Sequence, residues 1–407
     1  MNSHGALTTR IETNFSDISR SEWNSCAHSD DGDCEDRVDK KNPFISFEFL
    51  SALQNSGSAV PETGWKGTHF LISDGSKTLL AAAPCYLKTH SMGEYVFDQS
   101  WADAYTKAGG RYYPKLQISV PFTPVTGRRL LVAEGDHRNE AQHALIQAIK
   151  DNCLSFGASS AHLTFLNESE ASLLSASGFL IRTDQQFHWF NEKYKEFDDF
   201  LADLNSRKRK LINRERRESL SPGIMIERLA GKDIKEHHWD AFFSFYIDTG
   251  SRKWGMPYLT RRFFSLIGES MAEQTLLILA KREDRYIAGA INFIGENTLY
   301  GRNWGCIEDH PFLHFEVCYY QAIDFAIERG LKRIEAGAQG EHKLARGYRP
   351  VTTYSAHYIV NPEFRRAVEK YLKNERAHVA SLHTELVNHA PFKKLPLKKN
   401  NHHAEQK

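Results

Sequence analysis

The sequence predicts an α/β protein built from two related units in tandem. Its 407 residues correspond to two or three domains at a prior of about 150 residues each. The string QAIKDNCLSFGASSAHLTF from Gln147 and the string QAIDFAIERGLKRIEAG from Gln321 both read as helix, glycine and strand, and each follows a hairpin of similar pattern. Any helix–glycine–strand unit shares this outline, but a duplication also accounts for the length and the order of elements.

Turn residues and hydrophobic spacing locate the elements of the first half. Apolar residues at helical spacing from Phe44 to Leu53 predict a helix that begins near Pro43 and ends at Gly57. The turn residues at 74–76 between two apolar runs predict a hairpin over 69–88. The other predicted elements are a short strand near Arg10, a capped helix from about Ser16, a helix at 138–153, a strand at 161–166, a short helix and a strand at 179–190.

The second half repeats this outline. A hairpin over 275–295 is predicted to turn at Glu283-Asp284, and Gly330 ends a helix predicted over 313–329. The other predicted elements are strands at 297–305, 331–337 and 351–360 and a last helix over roughly 362–388. We therefore expect two domains, 1–190 and 191–407, with a solvated acidic loop at 29–41 and a flexible tail after about 395.

Composition narrows the class of protein. Hydrophobic residues make up 41% of the chain and charged residues 25%, as in soluble globular proteins, and the formal net charge is +1. A protein that is basic overall for nucleic-acid binding is therefore disfavoured, although a local basic patch stays open. There is no apolar run of the about 20 residues that a membrane helix needs, no signal-peptide core and no C-x-x-C pair. We expect a cytoplasmic protein with free thiols.

Four long strings carry a recognisable pattern: NPFISFEFLSAL, GEYVFDQSWADAYTKAGGRYYPKLQISVPFTPVTG, FYIDTGSRKWGMPYLTRRFF and EAGAQGEHKLARGYRP. They resemble the bacterial FemAB-like N-acyltransferases of the GNAT superfamily, and the resemblance extends from about residue 10 to 395. It implies two tandem GNAT-like domains, each a mixed, mostly antiparallel sheet flanked by helices. It also implies transfer of an acyl or aminoacyl group from acyl-CoA or aminoacyl-tRNA onto an amine of a small molecule or peptide, with no tightly bound cofactor.

The sequence departs from the acetyl-CoA branch of that superfamily. That branch has a Q/R-x-x-G-x-G/A loop, whose backbone N–H groups bind a pyrophosphate. RKWGMP at 252–257 and RNWGCI at 302–307 match its first part, but each has a larger residue where the last small one is required. Ordinary acetyl-CoA binding is therefore disfavoured, and neither the donor nor the acceptor follows from the resemblance.

The strongest candidate site is the segment 335–350, which follows a strand and contains three glycines. Glycines at strand ends let a ligand approach the backbone closely. The family has a Lys four residues before a Gly in the corresponding turn, and Lys343 precedes Gly347 by four, while His342 and Arg346 replace the family's aromatic residues. A cation here would hold the donor or stabilise a developing oxyanion. The competing interpretation is a solvated turn.

Two further segments combine cations with aromatic rings. In the first, Arg gives bidentate contacts to phosphate or carboxylate, and Trp gives a face for stacking; it holds Arg252, Lys253, Trp254 and Tyr258. Its competing interpretation is a helix end whose cations complement the dipole. In the second, Arg302 and Trp304 alternate along a predicted strand, so we expect them to share a face.

Acyl transfer to an amine requires a base, a group that stabilises the oxyanion and a proton for the leaving group. The catalytic candidates are Glu335, Glu341, His342, Lys343 and His314, with Tyr319, Tyr320 and Tyr348 as proton donors. The candidates for donor or substrate binding are Arg252, Lys253, Trp254, Tyr258, Arg302, Trp304, Gln339 and Arg346. Positioning without one essential base is an alternative. A metal site at His310, His314 and Glu316 is disfavoured because no motif such as H-E-x-x-H accompanies these residues.

Two other segments have two interpretations each. Residues 205–217 contain seven cations and one acid, which suits a polyanionic donor such as tRNA or CoA or a solvated linker helix. The polar and aromatic block 90–126 is either a long loop that lines the acceptor cleft or an insertion that braces the two domains.

The predicted function is N-acyl transfer; the alternative is a catalytically inactive GNAT-like module that binds tRNA or a protein partner. The sequence does not predict the oligomeric state.

Overall fold

The computed structural model describes residues 6–29, 41–221, 223–253, 257–337 and 340–393. Most of the predicted acidic loop at 29–41 and the predicted tail after about 395 lie outside the described residues. Trp254 and Gln339 also lie outside them, as does the side chain of Lys253. No helix within the described residues combines the length and the apolar character needed to cross a bilayer.

The described chain contains both strands and helices, in single elements and in consecutive runs. The strands are β1 (Thr8–Glu12), β2 (Trp65–Gly67), β3 (His69–Ser73), β4 (Leu79–Ala83), β5 (Cys85–Lys88), β6 (Lys115–Ile118), β7 (Leu131–Val132), β8 (Ser160–Leu166), β9 (Leu180–Phe190), β10 (Met225–Ala230), β11 (Thr275–Arg282), β12 (Arg285–Ile294), β13 (Thr298–Cys306), β14 (Arg333–Glu335) and β15 (Arg349–Ile359). The α-helices are α1 (Arg20–Ala27), α2 (Phe47–Asn55), α3 (Gln99–Lys107), α4 (Arg138–Ser155), α5 (Glu168–Ala176), α6 (Phe197–Asp203), α7 (Ser206–Leu220), α8 (Glu236–Lys253), α9 (Arg261–Ser270), α10 (Leu313–Phe315), α11 (Gln321–Glu328) and α12 (Pro362–Asn388).

One long sheet runs through both halves of the chain. Within the described residues its 11 strands have the order β10-β11-β12-β13-β14-β9-β15-β8-β6-β5-β2, and a 4-stranded sheet of order β1-β3-β4-β7 belongs to the first half. Most neighbours are antiparallel, but β13 pairs with β14 and β6 pairs with β8 in parallel. The late strand β15 lies between β8 and β9 of the first half.

The two parallel pairs correspond to the repeated string in the sequence. Gln147 lies in α4, which leads to β8, and Gln321 begins α11, which leads to β14. Gly157 and Gly330 follow these helices with φ of 61° and 64°, the left-handed conformation that ends a helix and that glycine adopts without strain. Each half therefore contains a helix that connects two parallel strands, as the duplicated outline predicts.

The apolar residues of the second half form two cores on opposite faces of the sheet. Leu277 and Leu279 of β11 face one core, which α2, α8 and α9 complete. Leu276 and Ile278 face the other core, which α11 completes. Helices thus cover both faces of the sheet, which explains why β11 is a continuous apolar run and not an alternating one.

Most predicted elements are confirmed, and their ends depend on local turn chemistry. Glu283 and Asp284 have φ of 51° and 61°, as expected for the tight turn of the hairpin β11–β12. The helix predicted from about Ser16 instead begins at Arg20, because the Ser19 side chain caps it by accepting a hydrogen bond from the backbone N–H of Glu22. The helix predicted from Pro43 is divided into a 3₁₀ turn and α2.

The block 90–126 is not a long loop. It contains α3 and β6, and Lys115 of β6 is completely buried. The Lys115 ammonium donates hydrogen bonds to Glu94 Oε2 at 2.6 Å, to Ser91 Oγ at 2.9 Å and to the carboxylate of Asp98. Burial acts to lower the pKa of Lys115, but the two carboxylates outweigh it and raise that pKa. The polar composition of the block reflects a buried ionic cluster, since charges are buried when they are paired and hydrogen-bonded.

We expect the Lys115→Met variant to be destabilised by about 3–5 kcal/mol, because it leaves two carboxylates buried without their cation. Urea unfolding measures the free energy of unfolding. Lys107→Met is the matched control, since Lys107 is exposed at the end of α3, and we expect its stability to stay within about 0.5 kcal/mol of the parent. Equal stability of the two variants would contradict the assigned role of the cluster.

Candidate functional site

Two parallel strands separate at the centre of the second-half sheet. The pairing of β13 with β14 ends at Tyr300 and Glu335. Gly301 lies at the point of separation, where an added Cβ would stand 3.6 Å from the carbonyl oxygen of Glu335. Beyond Glu335 the chain turns away through Gly337 and Gly340, with φ of 76° and 120°, values that glycine tolerates best. We call the gap that opens at Gly301, between β13 and this turn, the fork.

A bulge in β13 places Arg302 and Trp304 on opposite faces of the sheet. Ala290 of β12 faces Trp304, but Asn292 faces Gly301, so β13 contains one residue more than β12 over this stretch. An extra residue reverses the alternation of side chains. Trp304 packs against the core that contains α11, whereas Arg302 lies over the ring of Phe44 in the other core. The prediction that these two residues share a face is wrong.

A cleft of about 300 Å³ opens beside the part of β13 that lies beyond the fork. Its lining residues are Thr249, Arg252, Trp304, Cys306, Glu308, Asp309, His310, Leu313 and His314. The rings of Trp304 and His314 lie 5.2 Å apart, and Arg252 Nη2 donates to the Cys306 carbonyl at 2.7 Å. The structure thus brings together three predicted site residues, Arg252, Trp304 and His314. Tyr258 is not among the lining residues and stacks on Phe122 with ring centroids 4.7 Å apart.

Lys343 lies at the fork, on the 3₁₀ turn Glu341–Arg346. Its side chain is buried, and Nζ donates a hydrogen bond of 3.1 Å to the carbonyl oxygen of Gly337. Burial lowers the pKa of Lys343 to about 8, and the positive charge of Arg302 acts in the same direction. The charges of Arg302 and Lys343 thus act on each other, although neither residue is among those that line the cleft.

The other residues of this turn differ in their surroundings. The ring nitrogen His342 Nε2 shares a hydrogen bond of 2.9 Å with the Tyr319 hydroxyl, and the ring of His314 is 6.2 Å from that of His342. Burial and the charges of Lys343 and Arg346 lower the pKa of His342, so it is neutral at pH 7. Glu341 is exposed to solvent. His314, Tyr319 and His342 thus connect the cleft to the turn.

Glu335 is surrounded by basic side chains on the face opposite the cleft. Its carboxylate lies 3.2 Å from Arg333 Nη2 and 4.0 Å from His188 Nε2. Its negative charge acts to raise the pKa of Arg302 and the pKa of the buried Arg129. Its position beside the guanidinium of Arg333 suits an electrostatic anchor for the fork better than a proton-accepting base.

Arg346 is directed away from the cleft and into the core. Its Nη2 donates to both carboxylate oxygens of Glu215 at 2.8 and 3.0 Å. Its guanidinium lies 3.3 Å from the centre of the Phe315 ring, and Nη1 donates to the carbonyl of His342 at 2.9 Å. Arg346 therefore holds the turn in place. Sequence reasoning missed Glu215, although its spacing with the buried Ile212 and Ser219 on α7 was a usable signal.

The basic helix α7 has two different faces. Its inner face carries Arg216, which pairs with Glu316 at 3.1 Å and Asp324 at 2.7 Å. Its outer face exposes cations at three- and four-residue spacing, which we call the α7 stripe: Arg207, Lys210, Arg214 and Arg217. The guanidinium of Arg214 lies 5.8 Å from the Phe312 ring, so the stripe adjoins the segment that leads to His314. Residues 205–217 are therefore not simply a solvated linker helix, because one face of α7 is packed and the other is solvated.

The residues considered for a metal site are directed to different partners. His310 Nε2 contacts Glu308 at 2.9 Å, whereas Glu316 is buried against Arg216 and Gln321. Across the residues that the structure describes, no group of three or more His, Cys, Asp or Glu side chains is placed to hold a metal ion.

Comparison with known proteins identifies the family. The sequence matches a family described as FemAB-like, peptidoglycan biosynthesis/recognition, over residues 14–394. The chain belongs to the FemAB-like family. Membership supports acyl or aminoacyl transfer in general terms, without naming a donor or an acceptor. No curated protein matches the sequence.

The solved structure of FemX agrees with this assignment at the level of fold. FemX is 13% identical with a TM-score of 0.52, over 86% of this chain and 98% of FemX. A tandem GNAT protein from the clavulanic acid pathway is 10% identical with a TM-score of 0.48, over 88% of this chain and 99% of its own. L-PGS from Bacillus licheniformis is 10% identical with a TM-score of 0.48, over 88% of this chain and 94% of its own. The predicted mixed α/β fold is confirmed, with one sheet shared by the two halves.

We expect kcat/KM to fall as pH rises through about 8, because Lys343 loses its positive charge there. The lowered pKa means that the ammonium is present below pH 8 and absent above it. Lys343→Arg keeps a cation throughout this range, so the basic limb near pH 8 should disappear even if the maximal rate is lower. The pH profile of transfer measures this. Lys332→Arg, at an exposed lysine, is the control and should keep the parental fall in activity near pH 8. If Lys343→Arg also loses activity near pH 8, that titration belongs to a group other than Lys343.

Proposed function

We propose that this protein transfers an acyl or aminoacyl group from a polyanionic activated donor, aminoacyl-tRNA or acyl-CoA, onto an amine. The observation that carries the proposal is a buried cation, Lys343, at a fork between parallel strands that opens beside an aromatic cleft. A fixed cation away from water stabilises negative charge far more than a solvated one. Membership of a peptidoglycan-related family supports a peptide amine as the acceptor class.

The chemistry is an acyl substitution. The amine nitrogen attacks the carbonyl carbon, a C–N bond forms, and the C–O bond of an ester or the C–S bond of a thioester breaks. Lys343 would stabilise the oxyanion that develops on the carbonyl oxygen. The neutral pair of His342 and Tyr319 would accept the proton of the attacking amine and return one to the leaving group. Trp304 and His314 would hold the acyl group in the cleft, where positioning contributes much of the rate.

The α7 stripe supports a long polyanion as the donor. Its first and last cations, Arg207 and Arg217, are 10 positions apart, or about 15 Å at the helical rise of 1.5 Å per residue. That length exceeds a single pyrophosphate and spans several phosphates of a nucleic-acid backbone, each contact releasing counterions. The stripe therefore favours aminoacyl-tRNA over acyl-CoA as the donor.

Transfer is tested by incubating the protein with aminoacyl-tRNA carrying a radiolabelled amino acid, and separately with radiolabelled acyl-CoA, plus a set of amine-bearing peptides. We expect the label from aminoacyl-tRNA to reach a peptide amine. If label is transferred only from acyl-CoA, the donor is acyl-CoA and not aminoacyl-tRNA. Salt-sensitive tRNA binding with no transfer from either donor would contradict the proposal and favour the inactive binding module.

The triple variant Lys210→Gln/Arg214→Gln/Arg217→Gln should raise KM for aminoacyl-tRNA about tenfold or more with little change in kcat. Its plot of log KM against log salt should be shallower by about 0.7 for each lost phosphate contact. Arg366→Gln/Lys370→Gln/Lys373→Gln is the matched control, because it removes three exposed cations at the same spacing from α12. Equal effects in the two variants would show that overall charge, and not the stripe, governs donor affinity.

A further inference from the structure

Glu215 is a buried carboxylate that no part of the proposed chemistry uses. It lies on the inner face of α7, in the most basic segment of the chain, and only 3% of its side chain is exposed. A glutamate is rarely buried unless it is paired. Glu215 has two partners: the guanidinium of Arg346 at 2.8 Å and the hydroxyl of Tyr320.

These partners lie on two different segments beside Lys343. Arg346 ends the 3₁₀ turn that carries Lys343, and it also donates to the carbonyl of His342. Tyr320 belongs to the π-helical segment Glu316–Tyr320, whose neighbouring Tyr319 contacts His342. One carboxylate on α7 therefore joins both segments that fix the Lys343 turn. Tyr319 and Tyr320 are consecutive residues of this segment, and their hydroxyls reach different partners, His342 and Glu215.

The charge of Glu215 also matters. Arg346 is 5% exposed and bears a permanent positive charge on the same turn as Lys343. Without Glu215, this charge would lack its bidentate partner and would add to the positive potential at Lys343. The carboxylate therefore both holds the turn and offsets its second cation.

We propose that Glu215 is a positioning residue for the transfer reaction, one that sets both the place of the Lys343 turn and the electrostatic potential there. The inference rests on the proposed function. It adds that the helix whose outer face carries the donor stripe fixes the reactive turn through its inner face. Glu215 acts through Arg346 and Tyr320 and makes no contact with substrate.

The test uses the full chain and the Glu215→Gln variant, which keeps the size of the side chain and removes its charge. We expect kcat to fall about 10- to 100-fold, as for a small displacement of a reacting group, while KM for aminoacyl-tRNA changes less than threefold. The basic limb of the pH profile should move to lower pH, because Arg346 now lacks its counter-charge. In Glu215→Gln/Arg346→Gln the limb should return toward that of the parent, although kcat stays low.

Controls separate this role from simple loss of folding. Glu328→Gln removes one partner of an exposed pair with Arg228 and should match the parent in every readout. If Glu215→Gln does not fold, Tyr320→Phe carries the test, since it removes one hydrogen bond and keeps the ion pair; kcat should then fall about threefold or more at constant KM. If the folded Glu215→Gln variant has the same kcat as the parent and loses activity at the same pH, the inference is wrong. An inactive parent would instead count against the proposed function.

Discussion

The insertion of β15 between β8 and β9 is the pairing on which the rest of the structure depends. The strand hydrogen-bonds along both edges to strands of the first half, with Ala356 facing Leu163 on one side and Ile181 on the other. Because β9 also pairs with β14, this one strand fixes where the fork lies relative to the first half. Arg302 can then donate at 2.7 Å to the carbonyl of Phe122, a first-half residue. The end of the fork at Arg302 thus contacts the first half, while the residues that line the cleft all belong to the second half.

The same pairing produces a polar row along one face of the sheet. Registered neighbours His162 and His357 share a hydrogen bond of 2.6 Å between their Nδ1 atoms, and His188 contacts Gln186 at 3.3 Å. Glu335 continues the row into the second half, opposite His188. A polar face buried in a sheet has to be covered by polar partners. The block 90–126 supplies them, which explains a composition that resembles a surface loop.

Charge is distributed around the fork with a clear division of roles. Glu335 offsets the cations of the face that meets the first half, and Glu215 offsets Arg346 on the other side of the turn. Lys343 lies between these two pairs and is the cation whose pKa burial brings to about 8. Arg302 and Arg346, whose charges are offset by nearby carboxylates, stabilise the fold, and Lys343, which has no paired carboxylate among its described contacts, is available to bind an anionic ligand. The outer stripe of α7 adds solvated cations that attract an anion from a distance.

Sequence alone determined much of this protein. Helical spacing, turn residues and the string that begins at Gln147 and again at Gln321 predicted most elements and the duplicated outline, because these signals depend only on neighbours along the chain. The offset between Lys343 and Gly347 indicated this turn through its resemblance to a family, and the structure buries Lys343 there. Tertiary structure alone decided the rest. One extra residue in β13 separated Arg302 from Trp304, and distant partners buried Lys115 and Glu215, since register and ion pairing depend on residues far away in sequence.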